Sequence, residues 1–143
     1  MSASTSPAAA RSGDLDFVLL IGRIALVVLF PISGYFKIMG WPGIVGLLTQ
    51  QEAPLPYLGG VLAILAETVF PLLIVLGLWT RWAAFGLILY TLGTSIIAHR
   101  FWEFEGAAQV PQIFSFFKNL SMIGGFLILA WIGPGRYAVQ PRP

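Results

Sequence analysis

Cysteine is absent from this 143-residue chain, and histidine occurs once. The first absence excludes disulfides, thiolate nucleophiles, Cys-ligated iron–sulfur clusters and attached c-type haem. The second excludes a bis-histidine haem held by this chain alone. It leaves His99 and a few carboxylates as the available metal ligands, a poor set for zinc or copper, so no metal site is expected. A redox role would need a diffusible cofactor, none being attached covalently, or a cofactor carried by a partner. Charge is scarce too. Only 10% of the residues are charged, against about 25% in soluble domains. The formal net charge is +2. No basic patch interleaved with aromatics lies outside the apolar runs, which argues against nucleic acid as a partner.

What fills the chain is apolar. Hydrophobic residues make up 57% of it and the mean hydropathy is +0.85, the composition of an integral membrane protein whose partner is the lipid bilayer. Four apolar runs stand out, at 16–38, 57–79, 82–101 and 111–133. Each is close to the ~20 residues a spanning helix needs. Period-2 alternation is missing and a barrel needs many more segments, so strands are excluded. The fold expected is an all-α integral membrane protein, a four-transmembrane-helix bundle. The opening "MSASTSPAAARSGDL" (1–15) reads as a disordered cytoplasmic tail rather than a cleaved signal peptide. Residues 16–137 form the membrane domain, and 138–143 a C-terminal tail.

The connections differ in kind. "MGWPGIVGLLTQQEAPLP" (39–56) is long and proline-rich, with room for a short interfacial helix in "IVGLLTQQ". "WTRW" (79–82) is a tight turn that makes a hairpin of the second and third spans. "GPG" (133–135) stops the fourth. Trp41, Tyr57, Trp79, Trp82, Trp102, Trp131 and Tyr137 fall near span ends and read as an interfacial anchoring belt. Arg11, Arg81, Arg136 and Arg142 lie on one side of the bundle. Arg100 lies on the other, with Lys37 and Lys118 near its boundary. The positive-inside rule then places both termini in the cytoplasm.

Polar residues inside the spans are few and costly. A charge near the bilayer centre costs about 2.5–3.5 kcal/mol on insertion scales. Measured from the cytoplasmic end of each run at 1.5 Å per residue, Arg23 lies at ~10 Å, Glu67 at ~18 Å, Asn119 at ~21 Å, Lys118 at ~23 Å, His99 at ~26 Å and Lys37 at ~32 Å. Arg23 and Lys37 share one face of the first span, two heptads apart. Thr91, Ser95 and His99 form a stripe on the third, and Ser115 and Asn119 on the fourth. Arg23 is within reach of Glu67 if both side chains extend. The bland readings stay open beside the functional one. Arg23–Glu67 can be a purely structural ion pair, Lys37 and Lys118 can snorkel to headgroups, His99 can be a packing histidine, and Asn119 a helix–helix hydrogen bond. Convergence of four helices on one depth favours a polar intramembrane site of Arg23, Glu67, His99 and Asn119, with Lys37 and Lys118 at its rim.

"IGRIALVVLFPISGYFKIMG" (21–40), "LAETVFPLLIVLGLWTRWAAFGL" (65–87), "HRFWEF" (99–104) and "FFKNLSMIGGFLILAWIGPGRYAV" (116–139) together carry a resemblance. In order and spacing the chain resembles the DoxX family of small four-helix bacterial inner-membrane proteins, over nearly all of 17–137. The positions that match are Arg23, Lys37, Glu67, Arg81, His99, Trp102, Lys118 and Asn119. The resemblance implies the bacterial inner (plasma) membrane and a link to membrane redox systems. One branch of the family forms the small membrane subunit of a thiosulfate:quinone oxidoreductase. Other members sit beside enzymes of redox stress or metallophore biosynthesis. It supplies no catalytic assignment for any residue.

Three functions follow as expectations. The first is a subunit or accessory of a quinone-linked redox system, with a quinone as diffusible cofactor and a soluble oxidoreductase as partner. The second is a non-enzymatic anchor or scaffold for a soluble partner, in which the polar centre only fixes helix register. The third and weakest is a small-solute permease. A four-helix bundle would need a homo-oligomer for that, and no inverted repeat is detectable.

Overall fold

Proline sets the boundaries of the first span. In the computed structural model, which describes residues 7–140 with side chains from residue 13 onward, α1 covers Pro7–Val27 and α2 covers Leu29–Met39. Pro31 has no N–H for the Val27 carbonyl and its ring crowds that carbonyl. The helix is accordingly interrupted at Val28. Gly13–Met39 still forms one apolar span of 27 residues. α1 begins inside the stretch expected to be a tail. Pro7 sits at its first position, where a missing N–H costs nothing, and Ala8, Ala9 and Ala10 follow with the best helix propensity. Residues 1–6 and 141–143 lie outside the described residues.

A short helix, α3 (Trp41–Gln50), occupies the long connection. It lies against the start of α4 (Pro56–Leu76). Gly60 permits this approach, since a Cβ there would stand 3.0 Å from the Trp41 ring. α4 ends at Gly77, whose φ of +69° suits glycine. Leu78 N–H donates to Leu73 O at 2.9 Å and Gly77 N–H to Ile74 O at 3.1 Å, the Schellman arrangement. The hairpin then enters α5 (Thr80–Ala98). Two 3₁₀ turns, Phe101–Glu103 and Gly106–Ala108, lead into α6 (Gln109–Ile132). Among the described residues no strand forms, and four helical segments are long and apolar enough to cross a membrane.

Large apolar side chains cover the outside, including Trp131, Trp82, Phe114 and Phe117. Soluble monomers rarely show contiguous apolar surface on this scale. Here it is the lipid-facing surface.

The two ends of the bundle are built differently. Both described termini lie at one end, the terminal end; α3 and the 3₁₀ turns lie at the other, the loop end. Val27, Phe30, Ile74, Ala84, Leu87 and Phe126 fill the half toward the terminal end as a continuous core. Residues 133–140 fold back across that end. Val139 N–H donates to Leu76 O at 2.9 Å and Gln140 N–H to Gly77 O at 3.2 Å. These bonds satisfy carbonyls that the end of α4 leaves without intrahelical donors. Arg136 N–H donates to Asp16 Oδ1 at 2.9 Å. Helix neighbours are also unequal. α1 packs on both α4 and α6, whereas α2 packs chiefly on α4 and reaches α6 through Phe30, whose ring lies 5.7 Å from that of Phe126. The bundle is therefore closed toward the terminal end by this core and by the folded-back segment.

Candidate functional site

Glu67 is buried, as its place in the middle of α4 requires, and its partner is Lys37. Lys37 Nζ donates to both carboxylate oxygens at 2.7 Å and to Ser33 Oγ at 2.6 Å. Ser33 and Lys37 stand one turn apart on α2. Ser33 Oγ in turn donates to Glu67 Oε1 at 3.2 Å. Tyr90 Oη, from α5, donates to the same oxygen at 2.7 Å. Three helices thus converge on one carboxylate. Gly34 lets α2 come this close: a Cβ there would meet Glu67 Cβ and Thr68 Cγ2 at 3.3 Å. Pro71, one turn on, removes the N–H that would bond the Glu67 carbonyl.

This cluster lies on the wall of a cavity of about 520 Å³, within the range of small-molecule sites. Leucines and isoleucines from α2, α3, α4 and α5 make much of the remaining wall. Lys118, Asn119 and His99 line it as well. Asn119 Nδ2 donates to Ser95 Oγ at 3.1 Å, and Ser95 Oγ to Thr91 O at 2.7 Å. His99 Nδ1 stands 3.0 Å from Gln112 Oε1. With that oxygen as acceptor, Nδ1 carries the proton and Nε2 of the neutral ring is an acceptor. Lys118 is exposed and forms no ion pair among the described residues. Thr91 also lines the cavity; it is buried and its hydroxyl has no partner. A buried hydroxyl without a partner is costly in a structural role.

Five of the six residues expected at the site, Lys37, Glu67, His99, Lys118 and Asn119, therefore surround one cavity. Arg23 does not. It is buried among the terminal-end residues, where Nη1 donates to Pro134 O at 2.7 Å and Nη2 to Tyr137 O. The Arg23–Glu67 pairing read from helix depth is replaced by Lys37–Glu67, and Lys37 does not snorkel away. The cause is register. The first span is 27 residues long and the second 21, so their ends are not flush, and Gly34 rather than a residue nearer Arg23 lies level with Glu67. Ser33 and Tyr90 were not among the expected residues. Tyr90 had a signal: a tyrosine in mid-span has no place in an interfacial belt. Ser33 had only its spacing from Lys37.

A bundle of four spanning helices, with the Lys37–Glu67 ion pair on the wall of a cavity inside it, defines a multi-pass membrane protein with an intramembrane polar cavity. The chain belongs to the DoxX family, whose model matches residues 18–100. It is 43% identical over 125 residues to the inner membrane protein YphA of Escherichia coli, covering 87% of this chain and 89% of that one. It is 34% identical over 128 residues to the inner membrane protein YqjF of the same organism, covering 87% and 91%. A Surfeit locus protein 4 homolog of Schizosaccharomyces pombe is 24% identical over 138 residues, which cover 95% of this chain and 41% of that protein. No solved structure matches the chain. It is a multi-pass inner membrane protein.

Proposed function

We propose that the cavity binds a lipid-soluble ligand of the quinone class and that the chain serves as the membrane component of a redox system. The observation that carries this reading is the cavity of about 520 Å³, whose wall is mostly apolar and whose lining includes Thr91, Lys118 and Asn119. A quinone head group is a flat apolar ring with two carbonyl acceptors. The donors available to it are the second amide hydrogen of Asn119, the Thr91 hydroxyl and the Lys118 ammonium. The Lys37 and Tyr90 donors are already engaged by Glu67 and Ser33. Glu67 accordingly serves as the ion-pair and hydrogen-bond hub that holds α2, α4 and α5 around the cavity.

The termini lie in the cytoplasm on this reading. Among the described residues Arg81 and Arg136 are at the terminal end and Arg100 is at the loop end. The cavity then belongs to the outer half of the bilayer. A soluble oxidoreductase is the partner that would supply or remove electrons.

Gentle detergent extraction followed by mass spectrometry tests the proposal, reading bound small molecules and co-purifying chains together. About one quinone per chain is expected, falling at least fivefold in Asn119→Leu with Lys118→Gln while the protein stays folded. A soluble oxidoreductase without quinone would replace the proposal by an anchor role. Unchanged quinone content in the variant would remove the cavity as its site.

A further inference from the structure

A second recess lies at the opposite end of the bundle, where α5 begins. It has a volume of about 120 Å³ and is lined by Thr80, Arg81, both flanking tryptophans and the start of the C-terminal segment. We infer that this recess binds the phosphate group of a membrane lipid on the N-terminus of α5.

Four observations converge. First, α5 is a 19-residue helix with no side-chain cap. Its first intrahelical acceptor, Trp79 O, takes the Ala83 N–H at 3.0 Å. The N–H groups of Thr80, Arg81 and Trp82 precede that bond and find no acceptor among the described residues. These free amides and the helix dipole favour an anion. Second, Thr80 lines the recess, is only 3% exposed, and its hydroxyl has no hydrogen-bond partner. A threonine hydroxyl that is merely structural at this position would bond a neighbouring carbonyl. This one is left for a ligand. Third, among the described residues the lining includes the Arg81 guanidinium and no carboxylate, so the described part of the recess carries one cation and no anion. Arg81 lies 5.9 Å from the Trp131 ring, a contact that leaves its N–H groups able to donate in the plane of the fork. Fourth, Trp79 and Trp82 are exposed and border the recess. Such residues sit at headgroup level, the depth at which lipid phosphates lie.

The fold prepares the recess rather than merely tolerating it. Gly77 and Trp79 both adopt left-handed backbone, which turns the chain sharply enough to aim the start of α5 at the interface. Gln140 Oε1 accepts the Trp79 N–H at 3.1 Å, so the C-terminal segment closes one side. The volume is roughly ten times the ~10–15 Å³ that holds one water molecule, enough for a tetrahedral oxyanion with part of its glycerol ester.

The test is native mass spectrometry of the intact chain in a neutral detergent. The probes are dimyristoyl phosphatidylglycerol, the matching diacylglycerol that lacks phosphate, and inorganic phosphate as competitor. Phosphatidylglycerol adducts are expected, with few from diacylglycerol. Thr80→Val combined with Arg81→Gln should lower the phosphatidylglycerol adducts at least tenfold, while Thr80→Ser, which keeps the hydroxyl, retains them. Should the double variant fail to fold, Thr80→Val alone carries the comparison, with a loss of at least threefold expected. Competition by millimolar inorganic phosphate without lipid retention would keep the phosphate chemistry and assign a free anion as its source. Equal adducts in the wild type and the folded double variant, or equal binding of diacylglycerol, would overturn the inference.

Discussion

Two cations stand fourteen residues apart on one face of the first span, and they do opposite things. Arg23 is buried at the terminal end and spends its guanidinium on backbone carbonyls of Pro134 and Tyr137. Lys37, toward the loop end, spends its ammonium on the Glu67 carboxylate and Ser33. The difference follows from the two side chains. A planar fork suits two carbonyls of a folded-back segment. A compact ammonium on a flexible stem suits a carboxylate between helices. The consequence is a bundle with one closed end, tied by its own C-terminal segment over an apolar core, and one open half where the charges face a cavity.

Breaking the Lys37–Glu67 pair should have the largest effect. Glu67→Gln leaves an ammonium inside the bundle without its counter-charge, and a loss of about 3 kcal/mol is expected. Unfolding in mixed detergent micelles measures it. Lys37→Met with Glu67→Leu together should recover most of that loss, since removing both charges also removes their desolvation cost. If Glu67→Gln alone is neutral, the open half carries no stabilising electrostatics and the contrast with the closed end disappears.

Arg23→Met comes next. It leaves the Pro134 and Tyr137 carbonyls without their donor, at about 2 kcal/mol. The effect should be local, freeing residues 133–140 from the end of α4. Tryptic cleavage after Arg136 should therefore accelerate, while ligand content of the cavity stays unchanged. Loss of cavity ligand in this variant would show that the two halves are coupled and would sharpen the comparison into a mechanism.

Tyr90→Phe should have the smallest effect. It deletes one of the donors to Glu67 Oε1 and keeps Lys37 and Ser33. Hydrogen bonds between membrane helices contribute about 0.6–1.7 kcal/mol, so a loss near 1 kcal/mol is expected in the same unfolding assay. A larger loss would mean that the phenol, not the ammonium, holds the carboxylate in place.

Particular residues show how far the sequence could be read. The four spans were legible because hydropathy over ~20 residues reports burial in lipid whatever the packing. The hairpin at 79–82 and the stop at Gly133–Pro134 were legible because they rest on local backbone chemistry. Glu67 was legible as a polar centre because an acid in mid-span needs a partner. The partner itself was not. Arg23 and Lys37 share a helical face, so periodicity could not separate them, and depth counted from run ends assumed flush helices. The break at Val28 and the longer first span shifted that register.

The sequence by itself determined the class: an all-helical membrane protein with a polar centre inside its spans, because transfer into lipid penalises every unpaired charge and every open backbone bond. Tertiary structure alone decided that Lys37 rather than Arg23 meets Glu67, that Tyr90 and Ser33 join them, and that a cavity lies beside them. Those outcomes depend on how helices of unequal length slide and tilt against one another. Contacts at glycines such as Gly34 and Gly60 set that packing, and no periodicity within a single helix records it.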